Sequence, residues 1–168
     1  MTVLVIVLLA LALVASRWVS DHLDRSETRE AIDNVDRLVR ASALYISTPK
    51  VDTNGSPLPC QFPDTVPVTP SLTCCSDDGP LCAASAAPWS HSSWRELDFS
   101  QTEPHRYVYA YKADGTREKA RFAAQAFGDL DCDGQRSTFE RSGRGVVLAG
   151  DRCTLQLSPS LTIHQRMQ

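Results

Sequence analysis

The chain has 168 residues, room for one domain plus an extended element. Its net charge is −3 and no Lys/Arg cluster exceeds two neighbours, so nucleic-acid binding has no electrostatic footprint. The six cysteines, at 60, 74, 75, 82, 132 and 153, are even in number and sit among Pro, Gly and Ser, which points to disulfides and an oxidising compartment.

Residues 3–15, VLVIVLLALALVA, are almost purely apolar, and no charge appears before Arg17. A spanning helix needs about 20 apolar residues, so this run is short for the task. A secretory signal peptide suits its length but needs a basic n-region, which is missing. From Trp18 to Ile46 the period stays helical, with Val19, Leu23, Ala31, Ile32, Val35, Leu38, Val39, Ser42 and Tyr45/Ile46 on one face. Asp21/Arg25, Asp33/Arg37 and Asp36/Arg40 place an acid four residues before a base, the favourable order for surface pairs. Thr48-Pro49 supplies the stop. The expectation is one helix over residues 1–46, roughly 70 Å long at 1.5 Å per residue. Its first part (1–16) is lipid-soluble and its second (17–46) amphipathic.

Residues 47–93 hold eight prolines and four cysteines, with neither helical nor alternating period. A long proline-rich loop is expected here, held by Cys60, Cys74, Cys75 and Cys82. A zinc site from these cysteines with His91 is the alternative, but no C-x-x-C pair supports it.

Residues 94–97 predict a helical turn, and residues 94–168 an antiparallel sheet. In HRYVYAYK (105–112), Tyr107, Tyr109 and Tyr111 alternate with Val108 and Ala110, a strand with two unlike faces. Asp114-Gly115 marks a hairpin turn, and residues 120–127, 139–148 and 154–163 are the later strands. The tyrosine stripe reads as a packed sheet face. A staple between Cys132 and Cys153 is expected, with the other four cysteines pairing among themselves.

The sharpest motif runs from Asp129 to Glu140 and matches D-x-D-x-D-G-x₅-E. Ca²⁺ takes six to eight oxygens, and alternate carboxylates on a tight loop can point at one centre. Asp129, Asp131, Asp133, Gln135 (through its carbonyl), Ser137 and Glu140 are the expected ligands, with Gly134 allowing the turn. Arg136 stands where an EF-hand carries the aliphatic residue that pairs two loops, so a single structural calcium loop is expected. No G-x-S-x-G, H-E-x-x-H or P-loop pattern is present, and an enzyme is not expected.

The N-terminal stretch MTVLVIVLLALALVASRWVSDHLDRSETREAIDNVDRLVRA resembles the type IV pilin and pseudopilin helix entered partway along. The later phrases FSQTEPHRYVYAYK and GDLDCDGQRSTFERSG resemble the C-terminal half of bacterial pilin-like proteins. On this resemblance the leader and a few mature residues precede Met1, and restoring about six of them gives the spanning length of about 20. The family's acidic registration residue is absent, and Ser16 stands where many pilins have a kinking Pro. The resemblance implies an α+β fold, its long N-terminal helix packed by its C-terminal half on an antiparallel head (47–168). It also implies a structural subunit of a type IV pilus or type II secretion pseudopilus, forming homo- or hetero-oligomers through residues 1–46. Localisation is then a single-pass inner-membrane protein with a periplasmic head, later a filament of a Gram-negative bacterium. The rival is a monomeric, tethered or secreted calcium-binding or adhesive module.

Overall fold

The computed structural model describes residues 28–77 and 79–164. The first element, α1, covers residues 28–47. Its buried positions are Ala31, Val35, Leu38, Val39, Ser42 and Ile46, the stripe read from the sequence. The stripe joins one core cluster with Tyr107, Tyr109, Tyr111, Phe122 and Phe139. The chain then runs through β1 (Val66–Thr69), a small ladder of β2 (Cys75–Ser76) and β3 (Gly79–Pro80), and a short α2 (Ser92–Glu96). Five strands follow: β4 (Val108–Asp114), β5 (Arg121–Gly128), β6 (Ser137–Leu148), β7 (Arg152–Leu157) and β8 (Thr162–His164).

The main sheet has the order β1-β4-β5-β6-β7, with β8 also on β6, and every pairing is antiparallel. The 12-residue β6 is its spine: β5 lies along one edge, and β7 and β8 share the other. The single strand expected over residues 154–163 is thus two pieces. Pro159 lies between them and has no N–H for a ladder.

Register explains the two unlike faces of β4. Tyr109 opposes Ala126 and Tyr111 opposes Ala124, and these in turn oppose Phe139 and Arg141 on β6. The small alanines leave room for the rings, and all three tyrosines of β4 and its entry are fully buried. Asn34 donates to the Tyr109 hydroxyl (2.9 Å), and Ser42 shares a 2.8 Å hydrogen bond with the Tyr111 hydroxyl. The polar tips of Tyr109 and Tyr111 are therefore met from α1. Burial, with the Glu30 charge behind it, pushes the Tyr109 hydroxyl's pKa well above the ordinary tyrosine value. Burial also raises Tyr111, against an opposing hydrogen bond from Ser42.

Several expectations need correction. The α+β class built on a long helix over residues 1–46 is not what the structure has. Among the described residues it is mostly antiparallel β-sheet, with α1 over 28–47 and the five-residue α2 as its α-helices, and residues 1–27 lie outside the described part. The single-pass inner-membrane localisation is likewise not supported: no helix among the described residues is long and apolar enough to cross a membrane. The apolar run 3–15 and the pair Asp21/Arg25 lie outside the described residues. The i, i+4 pairs within α1 give way to longer-range partners. Asp36 meets Arg141 of β6 at 3.3 Å, and Arg37 donates to the carbonyls of Asp98 (3.2 Å) and Ser100 (3.3 Å). A fixed partner on the sheet or its loops, donor or acceptor, outcompetes a mobile one on the same helix face.

The tight hairpin at Asp114-Gly115 is instead a longer connection with a 3-10 turn, Arg117–Lys119. The proline-rich segment also contributes a strand. Pro67 and Pro70 are compatible with β1 because it lies at the edge of the sheet, where one row of amides needs no partner.

Candidate metal loop and the cross-linked face

β5 ends and β6 begins at the ladder pair Gly128↔Ser137. Ser137 is buried and its hydroxyl donates back to the Gly128 carbonyl (3.1 Å), closing the neck of the loop between them. Asp129 organises that loop. Its Oδ1 accepts from the Asp133 amide (3.1 Å) and its Oδ2 from the Gly134 amide (3.0 Å). Asp131 Oδ1 accepts from the same Asp133 amide (3.3 Å), and Asp133 Oδ1 accepts from the Gln135 amide (2.6 Å). Gly134 has φ +89°, a conformation that an L side chain rarely adopts. This is the local reason for glycine at that place. Cys132, at φ 59°, takes the same strained region and is bonded to Cys75.

One carboxylate oxygen from each of Asp129, Asp131 and Asp133 lies within 4.8 Å of the others. The alternation read from the sequence thus brings three of the expected ligands together. The side chains of the other three make contacts of their own. Ser137 is committed to the neck. The Gln135 side chain donates to Asp133 Oδ2 (3.1 Å). Glu140 is in β6 opposite Gln125 and accepts its amide at 2.6 Å. The Glu140 carboxylate is not among the three gathered within 4.8 Å of one another. A cation at the three aspartates would need its remaining oxygens from backbone or water.

The cysteines behave as staples, and all six are paired. The pairing expected between Cys132 and Cys153 is wrong. Cys60 joins Cys153, Cys75 joins Cys132, and Cys74 joins Cys82. Adjacent Cys74 and Cys75 therefore reach separate partners, one local and one on the acidic loop. Arg136 adds a noncovalent tie, donating to the Leu72 carbonyl at 2.8 Å. Chain proximity suggested a local staple for Cys132; the fold instead folds the 47–93 segment back onto the loop.

His91, the imidazole weighed with the cysteines, caps α2 by accepting from the Ser93 amide (3.2 Å). The histidine that does approach sulfur is His105. Its backbone pairs with Cys82 in both directions (2.8 and 3.2 Å), and one ring nitrogen lies within 4.8 Å of the Cys74 and Cys82 sulfurs. No spacing in the sequence announces this neighbour, since the two are 23 positions apart and an isolated bridge joins them.

At the far end of the outer sheet face from the acidic loop is an open groove of about 850 Å³, floored by Ala123 and Ser142 and bordered by Lys112, Arg144 and Leu157. No family model matches the chain, and neither a curated protein nor a solved structure matches it.

Proposed function

We propose that the chain is a non-enzymatic structural subunit of the pilin or pseudopilin kind, its cross-linked β-rich head displayed outside the cytoplasm. The observation that carries this reading is how the described residues are braced. The apolar stripe of α1 is spent on the tyrosine face of the sheet, and two disulfides tie the 47–93 segment to the sheet and its loop. Such a head keeps its shape when its neighbours pull on it, and disulfides of this number belong to an oxidising compartment. The N-terminal resemblance supplies the mode of assembly. Val3, Val5, Ile6, Leu8, Leu9, Leu11 and Leu13 would pack against copies or relatives of the chain, driven by apolar burial of about 25 cal/mol per Å².

The test is immunogold labelling of filaments sheared from cells that express the full chain with a C-terminal tag. Gold along the filaments supports the reading. Filaments that never carry the tag, with the protein recovered only as a monomer, overturn it.

The acidic loop favours a second reading, a monomeric calcium-binding or adhesive module. Calcium is part of both proposals: with Asp129, Asp131 and Asp133 gathered at one point, a divalent cation would offset their mutual repulsion. A monomer that binds calcium and never assembles would select the second reading over the first.

A further inference from the structure

Cys74 and Cys82 are buried, and so is His105, which is only 3% exposed. The His105 Nδ1 lies 2.9 Å from the Glu103 carbonyl. A carbonyl can only accept, so Nδ1 carries the proton in that contact and Nε2 carries the lone pair. Among the described residues Nε2 has no hydrogen-bond partner, although it is buried. An orphaned buried imidazole lone pair is unusual, because a buried acceptor left unpaired is destabilising, and a nitrogen of this same ring lies near two sulfurs. The arrangement makes chemical sense when the sulfurs are read as thiolates. Ligand atoms around one zinc ion lie about 2.0–2.3 Å from it, hence up to roughly 4 Å from one another. One ring nitrogen and the two sulfurs already fall within 4.8 Å.

We propose that reduction of the Cys74–Cys82 disulfide turns it, with His105, into a buried Cys₂His site for one thiophilic d¹⁰ cation, Zn²⁺ or Cu⁺. The reduction balances with a dithiol as co-reactant: the Cys74–Cys82 S–S bond takes two electrons and two protons, and the dithiol becomes a cyclic disulfide. The cation then displaces the two thiol protons to solvent. The scaffold for this exchange is in place. The backbone bridge between Cys82 and His105 does not depend on the disulfide, so those two ligands stay together when the S–S bond opens. Cys74 sits just before β2, whose ladder with β3 has only two residue pairs, so few ladder hydrogen bonds oppose the small adjustment required. The Glu103 carbonyl holds the ring in the tautomer that presents Nε2, the outer contact that metal-binding imidazoles commonly have. Three protein ligands leave one position open for water or an exogenous ligand. Soft sulfur donors select Zn²⁺ and Cu⁺ over Ca²⁺, so this site and the acidic loop do not compete.

The experiment uses the full chain, reduced anaerobically with a trialkylphosphine, desalted and titrated with Zn²⁺ against a chromophoric chelator. The wild-type protein is expected to retain one tightly held equivalent. His105→Gln, which keeps all six thiols, should weaken that equivalent at least about tenfold. Cys74→Ser/Cys82→Ser should lose it, whereas His91→Gln and Cys75→Ser/Cys132→Ser should keep it. Cobalt substitution gives a second reading, since two thiolates produce a sulfur-to-metal charge-transfer band that the Cys74/Cys82 variant lacks. No retained zinc in the wild type, or retention equal in wild type and His105→Gln, overturns the proposal.

Discussion

Removing the Cys60–Cys153 bond is the sharpest perturbation of the cross-linked head. The two cysteines are 93 positions apart, the widest span of the three bonds. In the chain-entropy treatment a loop of that size restricts the unfolded chain by about 4.6 kcal/mol at 25 °C. The 8-residue span of Cys74–Cys82 gives only about 2.5 kcal/mol by the same relation. Cys60 is also buried in the main core and Cys153 packs against it, so alanine at both positions leaves little unsatisfied polarity to confuse the result. The expectation is that Cys60→Ala/Cys153→Ala loses roughly 3–5 kcal/mol, and Cys74→Ala/Cys82→Ala about half as much. With a urea slope of about 1–3 kcal/mol per molar, the first variant's midpoint should fall by roughly 2 M. The assay is equilibrium unfolding in urea without reductant, followed by tryptophan fluorescence, since Trp89 and Trp94 lie in the same core. A loss below that of the Cys74/Cys82 variant would refute the reasoning. So would a peptide map showing Cys132 bonded to Cys153.

Four further outcomes follow from particular contacts. Leu38→Ala deletes a fully buried side chain of α1 and should cost about 2–5 kcal/mol in the same assay. At Gly128 an added Cβ would lie 2.5 Å from the Tyr107 ring, so Gly128→Ala should lose about 1–3 kcal/mol and shift the near-ultraviolet circular dichroism of the tyrosines. Burial, with Glu96 nearby, raises the Tyr45 hydroxyl to about 12, and Tyr109 and Tyr111 are raised as well. Between the ordinary tyrosine value near 10 and these raised values the unfolded chain has lost protons that the native chain keeps. Stability should hold to about pH 10 and fall as pH climbs beyond it, with tyrosinate absorbance at 295 nm appearing later in the native than in the urea-unfolded chain; simultaneous appearance would contradict the burial. For the acidic loop, saturating Ca²⁺ should raise the melting temperature of the full chain by roughly 5–10 °C at a hundredfold excess over Kd, and Asp131→Ala should remove the rise; Glu140→Gln should leave it largely intact, because Glu140 is held by Gln125.

What the sequence made legible was periodic. The 3.6-residue stripe from Ala31 to Ile46 and the Tyr-Val-Tyr-Ala-Tyr alternation both predict the faces that meet in the core. The Asp-x-Asp-x-Asp-Gly turn likewise predicts a gathered carboxylate cluster, because the spacing is local and Gly134 bends the chain there. What stayed hidden depends on contacts distant in the chain. Disulfide partners 57 and 93 residues apart leave no trace in local spacing, and nearness along the chain misdirected the pairing of Cys132. Glu140 fitted the calcium motif by counting, but its carboxylate accepts from Gln125 across the β5–β6 ladder, and motif spacing does not encode such a partner. β1 escaped because edge strands accept proline, so composition alone reads as loop.

The proposal that this chain is an assembling structural subunit meets its most direct test in photo-cross-linking from the N-terminal apolar run. A photoreactive phenylalanine analogue placed at Val5 or Leu9 of the full-length protein in its native host is irradiated, and the products are resolved by mass. Assembly through residues 1–46 predicts a ladder of adducts containing two or more copies of this chain or of similar subunits, absent when the probe is placed at Leu72 on the head. Adducts to lipid alone, with no protein ladder from either position, would contradict it.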